Sequence, residues 1–107
     1  CIANAQFLEG GIVMSVCPGC VPDAQIVNSQ VADELLTVKG IKASFVAGKN
    51  QQGMTVVSAR SLGDVNVQLI MEKFGGGGHF NTAGAQSELS PEDMLAAIRA
   101  ELGKKNS

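Results

Sequence analysis

Hydrophobic positions along this chain change period several times, and each change marks a new element. Phe7-Leu8 and Ile12-Val13-Met14-Ser15-Val16 predict one strand, bent at Gly10-Gly11. The stretch from Cys17 to Val21 predicts a loop that ends it. From Pro22 the spacing lengthens, with Val27, Val31, Leu35 and Val38 recurring at helical intervals among Gln, Asn, Asp and Glu. That is an amphipathic helix, closed near Lys39-Gly40 by a glycine able to take the left-handed cap. Period two returns at Ile41, Ala43, Phe45 and Ala47. It resumes over Met54 to Ala59 after Asn50-Gln51-Gln52-Gly53, which predicts a hairpin.

A second helix is predicted from about Asp64, whose carboxylate caps it, with Val67, Ile70, Met71 and Phe74 on one face. It runs into four glycines, Gly75 to Gly78, which read as a loop between elements. Ala83-Gly84-Ala85-Gln86-Ser87 is short and small-sided and reads as a further strand. The last helix has Ser90 as N-cap, Pro91 at its first position and Asp93 three residues on. Leu95, Ile98 and Leu102 form its apolar stripe, and Gly103 ends it before a polar tail from Lys104-Lys105. The order strand, helix, two strands, helix, loop, strand, helix predicts an α/β fold, a single sheet of about four to five strands packed by three helices.

Composition narrows the picture. At 107 residues, one domain over 1–107 is expected. With 45% hydrophobic residues, four phenylalanines and no tyrosine or tryptophan, the core is built from aliphatic side chains and methionine. A net charge of -2 and a pI near 5.2 argue against a broad basic grip on duplex nucleic acid. A small anion held by a few contacts remains open. No apolar run approaches the roughly 18 residues that span a bilayer, and no charged-then-apolar leader opens the chain, which reads as water-soluble. Because it begins at Cys1 without an initiator methionine, it is expected to be a piece of a longer protein.

The chemistry concentrates in Gly75-Gly76-Gly77-Gly78 and the single histidine, His79, followed by Phe80-Asn81-Thr82-Ala83-Gly84. Glycines let the backbone take positive φ and come into contact with a ligand, so several amide N–H groups can face an anion. The plainer reading is that they end the preceding helix and that His79 is a surface side chain. Arg60 shares a strand face with Met54, Val56 and Ser58 and stands where the apolar row stops, well placed for a phosphate. Ser61 points the other way. Pairing of Arg60 with Asp64, four residues on, is the alternative. His79 can donate to phosphate, stack on a base, bind a metal or act as acid or base. No carboxylate pair accompanies it, no Gly-Lys-Ser/Thr closes the glycines, and the run follows a helix where a dinucleotide fingerprint follows a strand. Spacing therefore reaches an anion-binding or nucleotide-binding segment and stops there.

Cys17-Pro18-Gly19-Cys20 has the spacing of a redox pair. Zinc would need four ligands, and Cys1 and His79 are each isolated and distant in sequence. A pair without a role and a reactive dithiol both stay open, and an odd total of three cysteines fits a secreted disulfide framework poorly.

Gly76-Gly77-Gly78-His79-Phe80-Asn81-Thr82-Ala83-Gly84 resembles the Gly-Gly-Gly-His-x-x-Ala-Ala-Gly signature of the DHH-associated domain, the C-terminal half of DHH-type phosphoesterases. The resemblance extends through Ser58-Ala59-Arg60-Ser61, Leu62 to Val67 and Met71-Glu72-Lys73-Phe74, and runs from about Phe7 to Leu102. It is nearest to bacterial membrane-anchored cyclic di-AMP phosphodiesterases. Thr82 stands where the signature has its first alanine, and the Cys-x-x-Cys is not part of the pattern. The resemblance implies that an N-terminal DHH domain binds two manganese ions and activates water, and that this domain binds substrate. Arg60 and Ser61 would contact phosphate, the backbone of Gly75, Gly76, Gly77 and Gly78 would approach the nucleotide, and His79 would contact a phosphate or base, with Asn81 as an added contact. No catalytic or metal-binding residue is then expected on this chain, which alone would be inactive. Implied partners are a cyclic dinucleotide or short oligonucleotide, the preceding DHH domain, and a second copy in a homodimer. The implied location is the cytoplasmic face of a membrane-anchored protein. A single-strand exonuclease or oligonucleotide phosphatase of the same superfamily is the alternative enzyme, and a redox or interaction module using Cys17 and Cys20 the alternative of another kind.

Overall fold

A computed structural model describes residues 6–8, 11–20, 24–50, 52–62 and 66–105. Along them run strands β1 (Gln6–Leu8) and β2 (Ile12–Cys20), helix α1 (Ala24–Leu36), strands β3 (Ala43–Lys49) and β4 (Thr55–Ser61), helix α2 (Val67–Glu72), strands β5 (Gly77–His79) and β6 (Thr82–Ser87), and helix α3 (Pro91–Lys105). The strands form one sheet in the order β1-β2-β3-β4-β6-β5. Strands β2 and β3 are parallel, joined by the α1 crossover, and every other neighbour pair is antiparallel. The single sheet with three helices is as predicted, with six strands where four to five were expected.

Strand alternation sorts the side chains into two cores. Ile12, Met14, Ala43, Phe45, Ala47, Val57, Ala59, Ala83 and Ala85 face α2 and α3, meeting Val67, Ile70, Met71, Met94, Leu95 and Ile98. Val13, Ile41 and Val46 face α1 and meet Ala32 and Leu35. Phe45 is completely buried, which contributes about 1.5–3 kcal/mol.

Helix α1 is also stitched to β4 by polar ties. The Asn28 amide donates to the Val56 carbonyl at 2.9 Å, and the Ser29 and Ser58 hydroxyls lie 3.2 Å apart. Asn28 is buried, so its tie replaces water that folding removes.

The differences from the sequence reading have local causes. The two hydrophobic groups expected as one bent strand are two antiparallel strands, because Gly11 takes φ 80° and reverses the chain. The expected loop from Cys17 is strand as far as Cys20, held by continued pairing with Gly48 and Lys49 across a register shift. Helix α1 ends at Leu36, short of the predicted stop at Lys39-Gly40. Val38 lies beyond it and is exposed, while Gly40 takes the expected positive φ of 90°. Asp64 lies outside the described residues; α2 is capped by Asn66, whose side-chain oxygen accepts from the Leu69 N–H at 3.2 Å. Gly103 lies inside α3 rather than ending it, since the helix reaches Lys105. The start of α3 is as read, with the Asp93 N–H donating to Ser90 Oγ at 3.2 Å.

Candidate functional site

Helix α1 packs on β3 and β4, and among the described residues no helix packs over the β6–β5 end of that face. Residues directly opposite each other on neighbouring strands share a face, so the register arranges this surface in rows. One row runs Ser44, Arg60, Thr82, His79, and the next runs Val46, Ser58, Gly84, Gly77. The rows are about 6.6–6.8 Å apart, two residues along each strand. Past the edge of α1, the first row ends in the exposed Thr82 and His79. The second ends in two glycines and presents bare backbone. An open groove of about 350 Å3 lies at the glycine row, lined by Val56, Val57, Gly75, Gly76, Gly77, Gly84, Ala85 and Gln86.

Four adjacent glycines have four different circumstances. Gly75, at φ 82°, and Gly76 donate to the carbonyls of Glu72 and Met71 at 3.2 and 2.9 Å, the bond pair of a Schellman cap. The plainer sequence reading therefore holds for these two, which end α2. Gly76 also presses against Gly84 and Ala85, where a Cβ would collide with backbone. Gly78 has φ 144°, and a Cβ there would meet the Thr82 carbonyl oxygen at 2.5 Å. Around Gly77 a Cβ would meet nothing within 4 Å. Gly77 and Gly78 are strand, not loop, because they pair with Gly84 and Ala83. Positive φ accounts for Gly75, packing for Gly76 and both for Gly78, and Gly77 alone is left with neither reason.

Arg60 reaches the end of β4 and turns to α1. Its Nε donates to Asp33 Oδ1 at 3.0 Å and its Nη1 to its neighbour's carbonyl, Ala59 O, also at 3.0 Å. Its side chain is only 16% exposed, against 63% for Asp33. The other three N–H groups of the guanidinium make no bond among the described residues. The expected alternative partner, Asp64, lies outside the described residues; the carboxylate that Arg60 does meet belongs to α1.

The turn between β5 and β6 is pinned from two sides. Val67 N–H donates to the Phe80 carbonyl at 2.9 Å, and Ser61 N–H donates to the Asn81 carbonyl at 3.0 Å. These bonds fix where His79 leaves the sheet. Ser61 itself is buried on the opposite face, and Asn81 is exposed at the turn. So the structure gathers Arg60, His79 and Gly77 on one face, places Gly75 and Gly76 at the groove's far end, and keeps the Ser61 side chain apart. Sequence reasoning missed two neighbours of this group. Asp33 is 27 positions from Arg60, and nothing in the pattern couples them. Thr82 was noted only as a departure, although the hairpin register sets it between Arg60 and His79.

Among the described residues no three His, Cys, Asp or Glu side chains converge as a metal ion requires, so no metal chemistry is derived from them. The Cys17 and Cys20 side chains lie outside the described residues. No helix among the described residues is long and apolar enough to cross a membrane.

The DHHA1 domain family model matches residues 23–105. The chain belongs to the DHHA1 family. It is 58% identical over 85 residues to the cyclic-di-AMP phosphodiesterase GdpP of Geobacillus thermodenitrificans, covering 79% of this chain and 13% of that protein. To GdpP of Bacillus subtilis it is 41% identical over 76 residues, covering 70% of this chain and 12% of that protein. An exopolyphosphatase-related protein from Bacteroides fragilis shares the fold at a TM-score of 0.77 and 18% identity, covering 96% of this chain and 32% of that one. The DHHA1 match takes in α1, β4, both rows and α3. The chain therefore spans a small part of the length of its curated relatives.

Proposed function

We propose that this DHHA1 domain binds the substrate of a phosphodiesterase that opens cyclic di-AMP to a linear dinucleotide. The observation that carries the reading is the row of Arg60, Thr82 and His79 set beside the bare backbone of Gly77 and Gly84 on an uncovered sheet face. Its relatives named as cyclic-di-AMP phosphodiesterases supply the substrate. Arg60 holds a phosphate through its remaining donors, His79 contacts a second phosphate or a base, and Gly77 lets the ligand lie against the backbone. Gly75 and Gly76 line the groove, Asn81 stands exposed at the turn as an added contact, and Ser61 fixes the turn through its backbone. Among the described residues no side chains converge as a metal site, and the reading assigns manganese and the activation of water to a DHH domain of the same protein, with this domain alone inactive. The reading places this domain on the cytoplasmic side of a membrane-anchored protein.

The test is hydrolysis of cyclic di-AMP by the full-length protein supplied with manganese, the product separated by chromatography. Arg60→Ala and His79→Ala raise KM about tenfold or more while the melting temperature holds. Unchanged KM in both variants overturns the assignment.

A further inference from the structure

The ion pair between Asp33 and Arg60 is placed unlike the other ties of α1 to β4. Asn28 and Ser29 make theirs at or near the buried centre of the contact, and those ties set the register of the helix on the strand. Asp33 lies one turn beyond, on the exposed helix edge, where ion pairs add little to stability. What it does fix is the guanidinium. An arginine side chain has several rotatable bonds, and its worth as a phosphate ligand depends on how much of that freedom is already gone before the ligand arrives. Two acceptors on different elements, Asp33 Oδ1 at Nε and Ala59 O at Nη1, hold the plane of the group. Arg60 stands next to Thr82 in the register, and Thr82 next to His79, so the held group belongs to the row that β6 and β5 complete.

We propose that Asp33 is a positioning residue: it acts through Arg60, presetting the guanidinium for a substrate phosphate. This rests on the substrate-binding reading above. Because the carboxylate takes only Nε, the phosphate is received without the pair breaking. Asp33 touches no ligand itself. The neutral amide of asparagine keeps an oxygen acceptor at the same position and so preserves the role.

The experiment is a set of binding titrations of the full-length protein with cyclic di-AMP, without the metal, on wild type, Asp33→Ala, Asp33→Asn, Arg60→Ala and the double variant Asp33→Ala/Arg60→Ala. Melting temperatures are read alongside. Asp33→Ala is expected to weaken binding about five- to tenfold, Asp33→Asn less than twofold, and Asp33→Ala no further once Arg60 is alanine. A merely structural tie would shift the melting temperature and leave affinity alone, or would act equally in both backgrounds, and either result overturns the proposal. So does tighter binding by Asp33→Ala, which would mean that carboxylate and phosphate compete for the same donors. If Arg60→Ala weakens binding but Asp33→Ala does not, the positioning role fails and the site stands. If Arg60→Ala binds as wild type, both fall.

Discussion

Gly76 lies so close against Gly84 that a methyl group on it would run into the Gly84 carbonyl oxygen. The contact welds the end of α2 to β6 at the open groove, which both glycines line. Gly77, next in the chain, has no such neighbour. Gly76→Ala is therefore expected to cost at least about 1–3 kcal/mol of stability in denaturant unfolding. Gly77→Ala should unfold as wild type yet lose affinity for cyclic di-AMP. Gly78→Ala would not discriminate, because its backbone and packing both resist a side chain.

Thr82 faces Arg60 on one neighbouring strand and His79 on the other. Its hydroxyl is exposed and makes no bond among the described residues. Thr82→Val, which keeps the shape and removes the hydroxyl, is expected to weaken nucleotide binding about tenfold, and Thr82→Ser to restore it. Calorimetric titration checks this, with the melting temperature unchanged throughout.

Asn28 is 1% exposed, and its amide satisfies the Val56 carbonyl. Asn28→Ala removes that buried bond and opens space under α1, so a loss of about 1–3 kcal/mol is expected in urea unfolding. Arg60 function should decline with it, since α1 carries Asp33.

Ser90 caps α3 through the Asp93 N–H. Ser90→Ala should lower stability by about 1 kcal/mol and leave substrate affinity untouched, because α3 packs on the sheet face opposite the groove. A fall in affinity as large as that of Arg60→Ala would contradict the separation of the two faces.

What could be read in the chain was what repeats. The hairpin of β3 and β4 and the start of α3 come from period and capping, both local properties. Strand β5 has three residues, two of them glycine, so no side-chain alternation announces it. It exists because Ala83 and Gly84 offer a flat edge to pair with. The small residues of β6 made that strand look weak, yet their size is what lets it sit between β4 and β5 under α2. Arg60 and His79 were visible as candidates because their types and positions at element ends carry chemistry. Asp33 was not, since a carboxylate among the polar residues of an amphipathic helix looks like any other. Only the parallel run of α1 and β4 brings it to Arg60.

Strand β5 closes one side of the sheet, with no further strand beyond it among the described residues. Long, flat borders of this kind recruit other chains and seed aggregates. Here the border is three residues long and ends in a tight turn pinned by Val67 and Ser61, so it offers little for a foreign strand to zip onto. Among the described residues the protein can thus leave this rim open without inviting its own copies to stack there.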